Sequence, residues 1–351
     1  MQTLYLHAGM MKTGTTSIQV ALAANPIGKN YRYIGLQANN SSTAMRMAFA
    51  GGVVEPGKQV FAEPGFRERF LAHLADQLQH DVPIGIVSAE LISATFSLAH
   101  YQAMHDWLAE RVAEVKVVLY IREPASFMES LYQQKLQEGG HASIRPNALY
   151  PKYRRRLEPL EAVFGRENVV YRSFSPSRFT QGDIVLDFAQ LIGLDFHEHE
   201  LRRVNASLSR PAAALLHLYH QHTPEGRSRR LQGNEAKRRL VKLLHQLQGP
   251  KLRLAPELLH KTLQRQQDDI AWMTCRLDAP LPAWRAPDAG DGIRNEADLE
   301  QLDDMALDWL GEMAGGSFRR AERPAIAAAL ASLSLAQGFQ ARLSRARRLF
   351  N

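Results

Sequence analysis

"TLYLHAGMMKTGTTSIQVALAA" (residues 3–24) is the segment that decides the fold of this chain. It begins as a short apolar run, passes through a loop that contains Gly9 and Gly14, and continues with apolar residues at helical spacing. We therefore expect a strand over 3–8, then a loop, then a helix over 15–24. A glycine loop between a strand and a helix lets backbone N–H groups approach a bound anion closely, so this segment predicts an anion-binding turn.

The position of the lysine separates this loop from the common nucleotide-binding pattern. In G-x-x-x-x-G-K-[ST], the lysine directly follows the second glycine. Here Thr15 stands at that position, Thr16 holds the hydroxyl position, and the lysine is Lys12, two residues before Gly14. Thr15, Thr16 and Ser17 add hydroxyl donors to the backbone amides. The pattern favours anion binding but weakens the case for a magnesium-dependent triphosphatase.

Strand-like and helix-like segments alternate over the rest of the first 210 residues. Alternation of this kind predicts βαβ units and a mostly parallel sheet, here a P-loop-type three-layer α/β/α core over 1–210. From about Pro211 onward only helical patterns follow, which predicts a helical region over 211–351 packed on the core. We expect strands at 31–36, 84–90, 115–123 and 168–174, and helices at 66–79, 98–114, 124–137, 183–193, 211–221, 233–248, 255–277, 296–312 and 324–349.

Polar residues stand where three of the predicted strands end. These residues are His7, Glu90 and Arg122. In parallel α/β sheets, ligands bind beyond the carboxyl ends of the strands. The three side chains are therefore the first candidates for a functional site.

Composition narrows the class of protein. The chain has 351 residues, 45% of them hydrophobic and 23% charged, which is ordinary for a globular protein. No stretch approaches the roughly 20 apolar residues of a membrane span, and the start of the chain lacks the features of a cleaved signal. The single cysteine, Cys275, excludes an internal disulfide and argues against a cysteine-based metal site. We expect a cytoplasmic protein.

The net charge of +7 lies in the later part of the chain, because the first 120 residues hold equal numbers of basic and acidic side chains. Such a surplus suits a polyanionic ligand, an acidic acceptor or an anionic membrane surface. The segment "ARLSRARRLF" (341–350) could lie on such a membrane, or its helix could pack on the core with its arginines in solvent. Because no zinc finger or aromatic-interleaved basic motif is found, no nucleic-acid partner is expected.

Two motifs together resemble those of sulfotransferases that use 3′-phosphoadenosine 5′-phosphosulfate (PAPS). "HAGMMKTGTTSIQ" (7–19) resembles the 5′-phosphosulfate loop of that family, and "IREPASFMESLYQQ" (121–134) resembles its 3′-phosphate element. "VSAELIS" (87–93) is similar to the Ser-x-Glu strand end of the carbohydrate branch, and "RVNASLS" (203–209) to a polar segment of bacterial members. The resemblance covers residues 4 to about 210, with a weaker echo at 268–277.

The resemblance implies PAPS as the sulfate donor, PAP as the product nucleotide and no required metal. The 5′ end of the nucleotide would contact the loop, and Arg122 and Ser130 would bind its 3′-phosphate. Arg172 ends a strand on the same side and could also approach the nucleotide, although a structural ion pair is an equal alternative. The loop residues concerned are Lys12, Thr13, Gly14, Thr15, Thr16 and Ser17.

Sulfuryl transfer needs charge stabilisation at the leaving phosphate and a proton acceptor for the attacking hydroxyl. Lys12 is the candidate for the first role. Glu90 is the first candidate for the second and His7 is its rival. The structural alternatives are a capping or salt-bridging carboxylate at Glu90 and a histidine at position 7 that braces the loop.

Three functions therefore stay open at the level of sequence. The first is a PAPS-dependent sulfotransferase acting on a hydroxyl of a small molecule or glycan, with a carbohydrate or glycolipid favoured. The second is a P-loop nucleotide kinase or nucleotidase. The third is a non-catalytic homologue that retains nucleotide binding. The sequence leaves the acceptor and the oligomeric state open.

Overall fold

The computed structural model describes residues 1–35, 39–51, 53–55, 58–60, 64–139, 144–196, 207–223, 235–288 and 290–335. The chain divides into two compact units. One comprises Met1–Glu123, Lys152–Val204 and Gln266–Ala283. The other comprises Pro124–Pro151, Asn205–Arg265 and Trp284–Asn351.

A five-stranded parallel sheet forms the centre of the first unit, which confirms the predicted α/β fold class. Its strand order is β2-β5-β1-β6-β7, and β3 and β4 form a separate antiparallel hairpin. The strands are β1 (Thr3–His7), β2 (Tyr31–Tyr33), β3 (Val53–Glu55), β4 (Lys58–Val60), β5 (Ile84–Ser88), β6 (Glu114–Ile121) and β7 (Val169–Ser173).

The helices are numbered in chain order across both units. They are α1 (Thr15–Ala24), α2 (Ser42–Phe49), α3 (Phe66–Leu78), α4 (Ile92–Thr95), α5 (Leu98–Ala109), α6 (Pro124–Gln137), α7 (Pro146–Leu149), α8 (Tyr153–Phe164), α9 (Ile184–Leu191), α10 (Arg210–His222), α11 (Glu235–Leu244), α12 (Pro256–Arg265), α13 (Gln267–Thr274), α14 (Glu296–Leu299), α15 (Asp304–Ala314) and α16 (Arg323–Leu335).

Residues 117–121 of β6 are apolar and fully buried, and β1 buries Leu4 and Leu6, because helices cover the sheet. Val118 and Tyr120 of β6 belong to a core cluster with Ile18 and Leu22 of α1 and with Phe188 of α9. Helices α5 and α8 pack on each other and contact β6. β1 lies between β5 and β6, so both of its edges are hydrogen-bonded.

The second unit consists of helices in its described part. Helix α10 is its centre, since every residue from Pro211 to His220 is buried. It packs on α15 and α16 and also contacts α11. Among the described residues of either unit, no helix is both long enough and apolar enough to cross a membrane.

Several expected elements differ from those observed. The helix predicted over 255–277 is two helices, because Gln266 leaves helical geometry (φ −104°, ψ 16°) between α12 and α13. The helix predicted over 296–312 is also observed as two helices, α14 and α15, because Asp303 is the N-cap of the second one. The helix predicted over 98–114 ends at Ala109, and the strand over 31–36 ends at Tyr33.

The compact units are discontinuous in sequence, whereas the expected division falls at residue 210. Segment Pro124–Pro151 groups with the later helices, and Gln266–Ala283 groups with the sheet. The assignment of a nucleotide-binding core to 1–210 stays a prediction. The arginine-rich segment 341–350 and most of the 203–209 segment lie outside the described residues.

We expect Leu6→Ala to lower the free energy of unfolding by about 3 kcal/mol, because it opens a cavity beside the central strand. Leu6 has no exposed surface, whereas Leu98, the matched control, is 53% exposed. Leu98→Ala should cost less than about 0.5 kcal/mol. Urea denaturation followed by circular dichroism measures both losses. Equal losses would contradict the central position of β1.

Candidate functional site

The site lies where the carboxyl ends of β1 and β6 meet. β1 is followed by the glycine loop and α1, and the chain then enters β2 on one side of the sheet. β6 is followed by Arg122, and the next strand of the sheet, β7, lies on the other side. The connections after these adjacent strands therefore leave in opposite directions. A strand pair of this kind is a topological switch point, where α/β sheets bind ligands.

Left-handed backbone conformations shape the loop between β1 and α1. Gly9 and Gly14 both have φ of +77°, which glycine adopts at low cost. Lys12 has φ of +66°, which is uncommon for a residue with a Cβ. The carbonyl of Gly14, the N-cap of α1, accepts hydrogen bonds from the N–H groups of Ser17 and Ile18.

Gly9 brings the loop into contact with the segment that follows β5. A Cβ at position 9 would lie 2.6 Å from the Cβ of Glu90 and 2.8 Å from its Cα. Only a glycine therefore fits here without displacing the backbone of Glu90. Since β5 is paired with β1, Glu90 and the loop share one edge of the sheet.

The loop threonines differ in exposure and in the partners of their hydroxyl groups. Thr13 has no exposed surface and its hydroxyl donates to the carbonyl of Met10. Thr15 is also buried and donates to the same carbonyl at 3.4 Å. Thr16 is exposed and Ser17 is half-buried. The Thr13 hydroxyl therefore stabilises the loop, and contact of Thr13 with a nucleotide stays a prediction.

Glu90 lies two residues beyond the end of β5 and is half-buried beside the loop. Burial raises the pKa of its carboxyl group above the usual value, while a hydrogen bond with Thr15 and the positive charge of Lys12 act in the opposite direction. The charge of Lys12 and the carboxylate of Glu90 are thus near neighbours. A carboxylate with a raised pKa is a better proton acceptor than an exposed one.

His7 is the last residue of β1 and is fully buried. Its Nδ1 lies 2.9 Å from the hydroxyl oxygen of Ser88, which also accepts a hydrogen bond from Nε2 of Gln19 at 2.9 Å. Its ring packs against Phe188 with centroids 5.1 Å apart. Burial lowers the pKa of His7 to about 3, so the imidazole is neutral near pH 7. This geometry favours a bracing role over the predicted role as a base.

Arg122 directly follows β6 and contacts the glycine loop. Its Nη1 donates a hydrogen bond to the carbonyl oxygen of Lys12 at 2.9 Å. Its guanidinium lies over the ring of Phe174, 5.6 Å from the centroid, and its own carbonyl accepts a hydrogen bond from the hydroxyl of Tyr153. Lys12 and Arg122, 110 residues apart in sequence, therefore meet at one place.

Arg172 is committed to two carboxylates. Its Nε and Nη2 donate to Asp187 at 3.1 and 2.6 Å, and its Nη1 donates to Asp278 at 2.7 Å. Asp187 is almost fully buried and also accepts from the hydroxyl of Tyr120 at 2.7 Å. Without Arg172, the buried carboxylate of Asp187 would keep one neutral donor, the hydroxyl of Tyr120. The geometry favours the structural ion pair over the predicted role in nucleotide binding.

Ser130 is half-buried on α6, which belongs to the second unit, and its role in binding a 3′-phosphate stays a prediction. Sequence reasoning missed Gln19 and Tyr153, and it noted Ser88 only as part of the Ser-x-Glu pattern. Gln19 does carry a signal, since it is a polar residue on the apolar face of α1. Across the described part of the chain, no three His, Cys, Asp or Glu side chains are grouped to hold a metal ion.

Comparison with known proteins gives distant similarities. No family model matches the chain. An uncharacterized protein of Archaeoglobus fulgidus is 26% identical over 95 residues, and the match covers 27% of this chain but only 26% of that protein's length. A sulfotransferase from Alicyclobacillus acidocaldarius aligns with 57% of this chain and 85% of its own, at 16% identity and a TM-score of 0.39. Similarity at this level transfers neither an activity nor a residue role.

We expect Gly9→Ala to lower the free energy of unfolding by about 3–4 kcal/mol, since it adds both a left-handed alanine and a clash with Glu90. Gly193→Ala is the matched control. Gly193 has φ of +71° and open space around it, so only the backbone cost of about 1 kcal/mol applies. Chemical denaturation measures both. A similar loss of unfolding free energy in the two variants would mean that Gly9 does not lie close to Glu90.

The buried imidazole of His7 makes stability depend on pH. Its pKa is about 3 in the folded chain and 6.5 in the unfolded chain, so between these values only the unfolded state takes up the proton. The stabilisation that the neutral imidazole contributes to the folded state is complete above pH 6.5. It falls as the pH falls, by about 1.4 kcal/mol per pH unit at most.

We expect wild type to lose about 1.4 kcal/mol more than His7→Asn between about pH 7 and about pH 5.5, measured by urea denaturation. His80→Asn, a matched change at an exposed histidine, should keep the wild-type dependence. Parallel pH profiles for wild type and His7→Asn would show that His7 is not held neutral by burial.

Proposed function

We propose that this chain is a PAPS-dependent sulfotransferase that transfers the sulfuryl group to a hydroxyl of a carbohydrate or glycolipid. The observation that carries the proposal is the hydrogen bond from Arg122 to the carbonyl of Lys12. It brings the two motifs that resemble a 5′-phosphosulfate loop and a 3′-phosphate element to the same switch point. A ligand with a phosphate at each end needs both motifs, so each motif can serve it only with the other beside it.

The donor set is suited to a nucleotide with charged groups at both ends. The loop offers backbone N–H groups at the start of α1, the exposed hydroxyl of Thr16 and the ammonium group of Lys12. Arg122 offers a planar guanidinium, which matches the oxygens of a phosphate. We assign the 5′-phosphosulfate to the loop and the 3′-phosphate to Arg122.

The proposed reaction is an in-line displacement at sulfur. A bond forms between the acceptor oxygen and sulfur while the bond from sulfur to the 5′-phosphate oxygen breaks, and the electron pair of that bond stays on the phosphate of PAP. Lys12 stabilises the charge that develops on this leaving oxygen, which is the main catalytic term in transfers of this kind. The acceptor proton passes to the carboxylate of Glu90, whose burial raises its pKa.

His7 and Arg172 have supporting roles in this proposal. His7 fixes Ser88 at the end of β5, two residues before Glu90, and so positions the proton acceptor. Arg172 holds β7 to α9 through Asp187. The Ser-x-Glu pattern at 88–90 is the reason to favour a carbohydrate acceptor.

A P-loop nucleotide kinase is the second candidate. The observation in its favour is the contact between Glu90 and Thr15, because an acidic residue beside a loop hydroxyl is what a magnesium site requires. The position of Lys12 counts against it. A non-catalytic nucleotide-binding homologue is the third candidate, and it would bind PAP without any transfer.

The test is binding of PAP in the absence of magnesium, measured by calorimetry with EDTA present. We expect PAP to bind, Arg122→Ala to weaken binding about 10–100-fold, and Lys12→Ala to weaken it as well, because each loses charge-assisted hydrogen bonds. Lys29→Ala and Arg111→Ala are matched controls. Lys29 is largely exposed, and Arg111 lies at the amino end of β6, opposite the site.

The reaction is tested by mass spectrometry of a glycan and glycolipid pool incubated with enzyme and PAPS. Lys12→Ala should slow sulfate transfer about 100–1,000-fold. Binding of ATP with magnesium but not of PAP would favour the kinase. Binding of PAP with no sulfated product from any acceptor pool would favour the non-catalytic homologue.

A further inference from the structure

A pocket of about 640 Å³ lies within the second unit, and no motif of the sequence points to it. Three arginines line it, Arg210, Arg320 and Arg323, together with the acids Glu300 and Asp303. Its volume falls in the range of small-molecule sites. All of these residues belong to the second unit, so the pocket is built independently of the glycine loop.

Two of these arginines are each the first residue of a helix. Arg210 is the first residue of α10, and its backbone N–H donates to the carbonyl of Pro250 at 2.7 Å. Arg323 is the first residue of α16. The positive ends of both helix dipoles add to the charge of the side chains there.

The acidic side chains of the lining are occupied by donors of the protein itself. Glu300 accepts from Nη1 of Arg323 at 2.9 Å and from Gln221 at 3.3 Å, and these donors lower the pKa of its carboxyl group. Asp303 accepts from the backbone N–H of Ala306 at 2.8 Å as the N-cap of α15. Neither carboxylate therefore needs a cation from outside.

The arginines have donor capacity beyond these contacts. A guanidinium carries five N–H donors. Nη1 of Arg210 donates to the carbonyl of Asp291 at 3.3 Å, and Arg320 forms an ion pair with Asp304 at 2.7 Å in which both side chains are mostly exposed. An exposed pair of this kind contributes little and is readily exchanged for a ligand oxygen.

Apolar surface completes the lining. Pro250 and the buried Leu302 contribute carbon atoms to a pocket that is otherwise polar. A bare inorganic ion would leave that surface and most of the volume unused. An organic ligand with an anionic group would use both.

We infer that this pocket binds an organic oxyanion, a sugar-sized molecule that carries a phosphate, sulfate or carboxylate group. The anionic group contacts the arginines, and the carbon skeleton contacts Pro250 and Leu302. This inference goes beyond the proposed sulfotransferase activity and does not depend on it.

Calorimetry on the full chain at low ionic strength tests the inference. The probes are glucose 6-phosphate, glucuronate, inorganic phosphate and glucose. We expect the two organic anions to bind, inorganic phosphate to bind more weakly and glucose not to bind. Phosphate binding as tight as that of glucose 6-phosphate would overturn the organic part of the inference, and absence of binding by every anion would overturn all of it.

Variants locate the binding. Arg320→Gln should weaken binding of glucose 6-phosphate about 5–30-fold through the loss of a charge-assisted contact. Arg319→Gln is the matched control, because Arg319 is the exposed neighbour outside the lining. Lys12→Ala should leave binding of glucose 6-phosphate unchanged, although it weakens binding of PAP. Equal effects of the two arginine variants, or a loss in Lys12→Ala alone, would contradict the assignment to this pocket.

Discussion

The hydrogen bond between Arg122 and the carbonyl of Lys12 is the interaction on which the site depends. Because Lys12 has a positive φ, its carbonyl points in a different direction from that of a helical or extended residue. Such a conformation needs support from its surroundings. Arg122 supplies that support from the end of the neighbouring strand. The same bond therefore fixes the shape of the loop and holds its backbone at the end of β6.

Two titratable groups at this edge of the sheet illustrate how burial acts in opposite directions. The pKa of Glu90 is raised and that of His7 is lowered, in both cases because burial disfavours the charged form. Glu90 lies near the charge of Lys12, whereas the ring of His7 packs against Phe188. Groups whose environments push their pKa values apart have different chemical uses, and of these two Glu90 is the one that keeps some exposure to solvent.

The sequence predicted those parts of the fold that local signals control. Helix 124–137 begins where expected because proline favours the first turn of a helix, and it also ends at the expected residue. The apolar runs of β1 and β6 identified the buried strands. The break at Gln266 was missed because no glycine or proline marks it. The six polar residues at 264–269 were a local sign, and the helices on the two sides of the break belong to different units.

Side-chain partners at the site were less predictable because they depend on long-range packing. Arg172 meets Asp187, 15 residues away, and Asp278, 106 residues away, and neither spacing is a recognisable pattern. The inward direction of the Thr13 hydroxyl follows from the loop backbone rather than from residue type. His7, Glu90 and Arg122 were found because strand ends are visible in a sequence.

The close approach of Gly9 to Glu90 limits how this edge can adapt. With no room for a Cβ between Gly9 and Glu90, the turn packs directly on the chain that follows β5, at the end of the β1–β5 pair. In the sulfotransferase proposed above, acceptors of different shape would have to be accommodated by other segments of the chain, because this turn has no room to adjust.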